Sequence, residues 1–179
     1  MKILTLLRHA KSTWDDPVAR DFDRPLNRRG RKAAHAIGAE MRRLGLAFDA
    51  VIASPAIRVE ETLAEVEAAY GRALGAAFDQ RIYLATTETL LERVRCTDEA
   101  ADRLLLVGHN PGLESLAMEL TRGSSLREEV ATKYPTATLA EIELPAASWR
   151  DVAAGTGRLA RFIRPRDLDP ELGPDGDSY

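Results

Sequence analysis

A chain of 179 residues is sized for one domain, and its 45% hydrophobic and 30% charged residues suit a single buried core and exclude the disordered class. Lys plus Arg number 25 against 28 Asp plus Glu, so the net charge of −3 carries no general basic footprint and indicates neither nucleic acid nor an anionic membrane as a partner. The single Cys96 excludes an internal disulfide framework and makes the reducing cytoplasm the expected location.

The opening run Met1-Lys2-Ile3-Leu4-Thr5-Leu6-Leu7 meets Arg8-His9-Ala10-Lys11 and is too short for a signal-peptide core. Residues 3–7 therefore read as a buried strand, and no segment approaches the roughly 18 apolar residues that span a bilayer. Asn27 can cap a helix running to about Leu44, with Gly45 as its stop. Residues 50–53 (Ala-Val-Ile-Ala) form a second strand that ends at Ser54-Pro55, an N-cap and first-turn pair for the next helix. Val59, Leu63, Val66 and Tyr70 supply that helix's apolar stripe. A weaker strand is expected at Arg81–Leu84 and a helix at about Thr87–Cys96. Residues 104–107 (Leu-Leu-Leu-Val) are the clearest buried strand, and Gly108-His109-Asn110-Pro111-Gly112 turns from it into a helix carrying Leu113, Leu116, Ala117 and Leu120. Residues 138–144 and 158–164 alternate apolar and polar positions, as in a terminal hairpin or adjacent edge strands.

This alternation predicts an α/β three-layer sandwich on a mostly parallel sheet, whose binding crevice lies at the carboxyl ends of the strands. Arg8-His9, Ser54 to Arg58, and His109 stand at such ends. Together they would bring two guanidinium groups and two imidazoles to one place, with helix N-termini close by, which is an anion site fitted to phosphate oxygens. With no carboxylate at its centre, such a pocket disfavours imidazolium and leaves a ring nitrogen available as a nucleophile for phosphoryl transfer.

Leu6-Leu7-Arg8-His9-Ala10, Ser54-Pro55-Ala56-Ile57-Arg58 with Thr62, and Val107-Gly108-His109 resemble the histidine phosphatase superfamily, which has the phosphoglycerate mutase-like fold. Within it, Arg8-His9-Ala10-Lys11-Ser12, Asp23-Arg24-Pro25-Leu26-Asn27, Gly108-His109-Asn110-Pro111-Gly112 and Arg164-Pro165-Arg166-Asp167-Leu168 are similar to SixA-type phosphohistidine phosphatases. The resemblance implies His9 as nucleophile, Arg8 and Arg58 as holders of the phosphoryl oxygens, His109 as a second histidine on the group in flight, and Ser12 beside the phosphate. It implies a metal-independent phosphatase acting on phosphohistidine of a signalling or carrier protein. The alternatives are a phosphatase of a small phosphorylated metabolite and a phosphoprotein-binding module with little turnover. Ala10 replaces the usual Gly after the nucleophile, and would be strained if that position needs a positive φ.

For a proton donor the candidates are Glu88, Asp16 and Asp21, and none is convincing; an imidazole leaving group tolerates that absence better than an alkyl ester does. Three widely spaced His and one Cys make no metal motif, and Gly155-Thr156-Gly157 lacks the rest of a dinucleotide fingerprint, so no cofactor is expected. His35 reads as a packing or surface residue, and Trp14 and Trp149 as core aromatics. Residues 165–179 hold five acids against one Arg, a local −4 that leaves +1 for residues 1–164. The expectation is one domain over 1–164 and a loose acidic Pro/Gly-rich tail over 165–179, whose truncation after Asp169 changes activity less than a few fold. The oligomeric state is not legible.

Overall fold

The computed structural model describes residues 1–173. Its strands are β1 (Lys2–Arg8), β2 (Ala50–Ala53), β3 (Ala77–Phe78), β4 (Arg103–Gly108), β5 (Leu139–Leu144) and β6 (Arg158–Ile163). Its helices are α1 (Arg28–Arg43), α2 (Ile57–Tyr70), α3 (Thr87–Arg95), α4 (Gly112–Leu120), α5 (Ser125–Thr132) and the short α6 (Pro165–Leu168). The sheet order is β3-β2-β4-β1-β5-β6, and only β5 runs against the other strands.

Period-two alternation divides the core between the two faces of this sheet. Leu4, Leu6, Leu104 and Leu106 point toward α3, α4 and α5, while Leu7, Leu105 and Val107 point toward α1 and α2. The result is the three-layer α/β sandwich with a mostly parallel sheet. Asn27 caps α1 by accepting from the Gly30 N–H at 2.8 Å. Gly45, at φ +64°, ends it, and the Leu46 N–H closes the turn on the Met41 carbonyl at 3.0 Å. Gly38 lets α1 lie against the backbone of α2, since a Cβ there would collide with the Val66 carbonyl.

Four expectations need correction. α2 starts at Ile57 with Ala56 as its flanking residue, because the Ser54 N–H stays on the sheet, bonded to the Val107 carbonyl at 3.0 Å. The third strand is Ala77–Phe78; residues 80–82 form a 3-10 turn capped by the Asp79 side chain, and Leu84 sits at φ +48°. Helix α5, capped by Ser124, adds an element that the sequence pattern does not mark, since it buries only Val130 and shows no apolar stripe. Residues 165–173 are ordered: α6 and the 3-10 turn Pro170–Leu172 lie against α1, with Leu168 and Leu172 packed on the α1/α2 core. Arg29 holds this segment by donating to the carbonyls of Glu171 (2.8 Å) and Gly173. Residues 174–179 of the expected tail lie outside the described residues.

Candidate active site

Because β1 and β4 are parallel neighbours paired Arg8 to Gly108, the residues that follow them meet at one end of the sheet. The His9 N–H donates to the Gly108 carbonyl at 3.0 Å, and the rings of His9 and His109 lie 5.2 Å apart. Both imidazoles are buried.

His9 Nδ1 lies 2.7 Å from its neighbour's carbonyl, that of Ala10. A carbonyl only accepts, so Nδ1 carries the proton and Nε2 keeps its lone pair. Burial pushes the His9 pKa down to about 3; the Ala10 bond opposes this, while His109, Arg8 and Arg58 reinforce it. At neutral pH the ring is uncharged with an available nitrogen.

His109 has the opposite tautomer. Arg58 Nη2, which can only donate, stands 3.2 Å from His109 Nδ1, so Nε2 bears the hydrogen and donates it to Ser54 Oγ at 2.7 Å. Burial pushes the His109 pKa to about 3; Arg58 lowers it further, Asp21 acts in the other direction, and Arg8 adds to the lowering. The edge of the Tyr83 ring closes this side, 5.4 Å from His109 between centroids.

The two arginines are aimed from different elements. Arg58, in the first turn of α2, is buried and donates to the Asp21 carbonyl (2.7 Å) and to Asp21 Oδ2 (3.0 Å). Thr62 ties that turn to the nucleophile loop: its hydroxyl donates to the Arg58 carbonyl at 2.6 Å and accepts from the Ala10 N–H at 2.9 Å. Arg8 donates through Nη1 to the Tyr134 carbonyl at 2.8 Å, and the Tyr134 hydroxyl in turn donates to the Leu6 carbonyl at 2.8 Å. Two guanidinium groups and a neutral imidazole with a lone pair can bind a phosphoryl group and attack it.

The sequence pattern of the histidine phosphatase superfamily (branch 1) matches residues 4–140. The chain belongs to that superfamily. An uncharacterized Mycobacterium tuberculosis (strain H37Rv) protein is 35% identical over 164 residues, covering 89% of this chain and 100% of the relative. A solved structure described as a proposed phosphohistidine phosphatase SixA from Agrobacterium tumefaciens is 28% identical, with a TM-score of 0.78 over 92% of this chain and 98% of that one. Another so described, from Nakamurella multipartitia, is also 28% identical, with a TM-score of 0.79 over 92% and 96% of the two chains. The protein is thus a histidine phosphatase superfamily hydrolase with a SixA-type fold.

Within this superfamily pocket the structure brings His9, His109, Arg8 and Arg58 together. Ser12 Oγ is buried and accepts a hydrogen bond from Arg24 Nη2, which leaves its hydroxyl hydrogen able to donate. Asp21 stands at the pocket's edge, so the expectation of a site without a carboxylate needs correction at Arg58. Burial works to raise the Asp21 pKa, but donors from Tyr83, Arg58 and Arg24 outweigh it and hold it at about 2. A carboxylate held ionised by three donors orients Arg58 and is poorly suited to give up a proton. Asp16 is exposed and accepts from the Val18 N–H in its own loop, and Glu88 is exposed in the first turn of α3. Ala10 does not have the positive φ that would strain it. Trp149 is a core aromatic, but Trp14 is exposed and carries the Arg24 guanidinium over its ring.

Three participants escaped sequence reasoning: Ser54 as the partner of His109 Nε2, Tyr83 as a donor to Asp21 at 2.5 Å, and the Tyr134 carbonyl that holds Arg8. Ser54 had a signal, since it stands at a strand end in the crevice, but the helix-cap reading absorbed it. No helix of the described residues is long and apolar enough to cross a membrane.

Proposed function

We propose that this phosphatase hydrolyses phosphohistidine on a protein, through a phosphohistidine intermediate on His9, within a single catalytic domain. The observation that carries the reading is the fixed tautomer of His9, whose Nδ1–H is tied to the Ala10 carbonyl so that Nε2 keeps a lone pair within the electrostatic reach of Arg8 and Arg58. In the first step His9 Nε2 forms a bond to phosphorus as the substrate's P–N bond breaks, and the departing imidazole takes a proton from water. In the second step water attacks phosphorus, the His9–phosphorus bond breaks, and inorganic phosphate leaves. Arg8 and Arg58 hold the phosphoryl oxygens and neutralise charge in both steps, and His109, neutral and anchored on Ser54, lies against the same group.

A phosphohistidine substrate is supported by the pocket's acid–base content. Asp21 is ionised and engaged by three donors, and the other candidate acids are exposed. An imidazole leaves from phosphorus with less need of a fixed acid than an alkoxide does. The two solved relatives at 28% identity, both described as proposed phosphohistidine phosphatases, agree with this choice. The deciding experiment compares kcat/KM on a phosphohistidine-bearing protein with kcat/KM on sugar phosphates and nucleotides. The phosphohistidine protein is expected to be the better substrate; faster ester hydrolysis overturns this substrate assignment and leaves His9 to be tested separately.

A further inference from the structure

A cavity of about 240 Å³ adjoins the phosphoryl pocket and shares Arg8 with it. Its wall includes Arg8, Lys11, Arg29, Lys133, Arg164 and Arg166, and among the described residues no Asp or Glu lines it. These cations come from four separate parts of the chain: the end of β1 with the loop after it, the first turn of α1, the segment after α5, and the β6–α6 junction. The pocket mechanism uses only Arg8 among them. Arg164 is offset by ion pairs with Glu129 (2.9 Å) and Asp167 (3.0 Å), and Arg29 is engaged by the carbonyls of Glu171 and Gly173. Lys133 and Arg166 stand exposed at the rim. The remaining surface is largely apolar, from Ala33, Pro135, Pro165 and Leu172.

We propose that this cavity docks an acidic segment of the protein substrate, beside the phosphohistidine. Sharing Arg8 places the cavity beside the phosphoryl site, so a segment of the molecule whose phosphoryl group lies on His9 can enter it. A cationic rim over an apolar floor matches a carboxylate on a methylene stem, with the stem on the floor and the charge at the rim. A small, strongly hydrated anion would leave that floor unused. If the phosphohistidine sits on a helix, a carboxylate one turn away is displaced by about 5.4 Å, within reach of an adjoining cavity. A chain with a net charge of −3 thereby presents a concentration of positive charge where the substrate must land.

This inference rests on the phosphohistidine reading for its biological partner, but its test contains no phosphohistidine. A short rhodamine-labelled peptide of alternating Glu and Leu is titrated against the full chain by fluorescence anisotropy, with the same peptide carrying Gln for Glu as control. Saturable binding of the Glu peptide is expected, weakened at least about tenfold in the double variant Lys133→Glu/Arg166→Glu, while turnover of phenyl phosphate by that variant stays within about twofold of the parent. Equal binding of the Gln peptide, or indifference to the charge reversal, overturns the proposal. A rise of about tenfold or more in Glu-peptide affinity in Asp175→Asn/Asp177→Asn would also overturn it, by naming this chain's own residues 174–179 as the occupant. Failure of phosphohistidine turnover by the parent protein would strike the substrate assignment and leave the binding result standing.

Discussion

Arg58 and His109 are joined through a single contact, Nη2 to Nδ1 at 3.2 Å, and that contact decides which nitrogen of His109 carries the proton. Because guanidinium can only donate, His109 must accept at Nδ1 and point its N–H at Ser54. His9, 5.2 Å away between ring centres, has the reverse arrangement through the Ala10 carbonyl. Two buried imidazoles side by side thus hold different tautomers, one with its lone pair at Nε2 and the other with its hydrogen there.

Replacing His9 by Ala should abolish turnover, by about a thousandfold or more, with the circular dichroism spectrum and phosphate affinity retained. The covalent step is lost while both arginines stay. Substantial residual turnover on any phosphorylated substrate would refute His9 as nucleophile.

Asp21→Asn should lower kcat/KM roughly tenfold on phosphohistidine and phenyl phosphate alike, because it removes the carboxylate that aims Arg58 and leaves a neutral amide in its place. A general acid would behave differently, with the ester suffering far more than the phosphohistidine. Steady-state kinetics on both substrates separates the two roles.

Both buried histidines have folded pKa values of about 3 against an ordinary 6.5. Above 6.5 neither state binds the proton and stability is complete; as pH falls from 6.5 toward 3 the unfolded chain takes up protons that the native chain refuses, so stability falls. Asp21 acts in a lower window, with its stabilisation present above 3.8 and lost as pH falls toward 2. The melting temperature of His9→Gln should therefore decline less than that of the parent between pH 6.5 and about 4. Parallel curves would show that His9 titrates normally in the native protein.

Arg8 and Arg58 supply positive charge where a phosphoryl group binds, so chelators should leave activity intact and vanadate, a mimic of five-coordinate phosphorus, should inhibit. Activity lost on chelation and restored by a divalent ion would assign that charge to a metal.

Ending the chain after Arg164 should destabilise the protein by about 2 kcal/mol, from the lost packing of Pro165, Leu168 and Leu172 on the α1 side. Urea titration measures this. An unchanged midpoint would mean that α6 contributes no stability.

The chain's local pattern determined much of this. The apolar runs at 3–7, 50–53 and 104–107 are long enough for buried strands and too short for helices, so strand type and position followed from periodicity and length. In a parallel sheet Arg8, His9 and His109 fall at strand ends, and Arg58 in the helix turn after one, where such sheets place their crevice. What only the tertiary structure decided are contacts between residues remote in sequence: Asp21 with Arg58 across 37 positions, Ser54 with His109 across 55, Tyr83 with Asp21 across 62, and Tyr134 with Arg8 across 126. Each depends on where an irregular loop comes to rest, and loop conformation carries no hydrophobic period to read. The same reason paired Arg24 with Ser12 and put residues 165–173 on α1, where a composition rich in acid and proline suggests solvent. Composition reports the average cost of ordering a segment, whereas Leu168, Leu172 and the carbonyls held by Arg29 meet that cost at particular contacts.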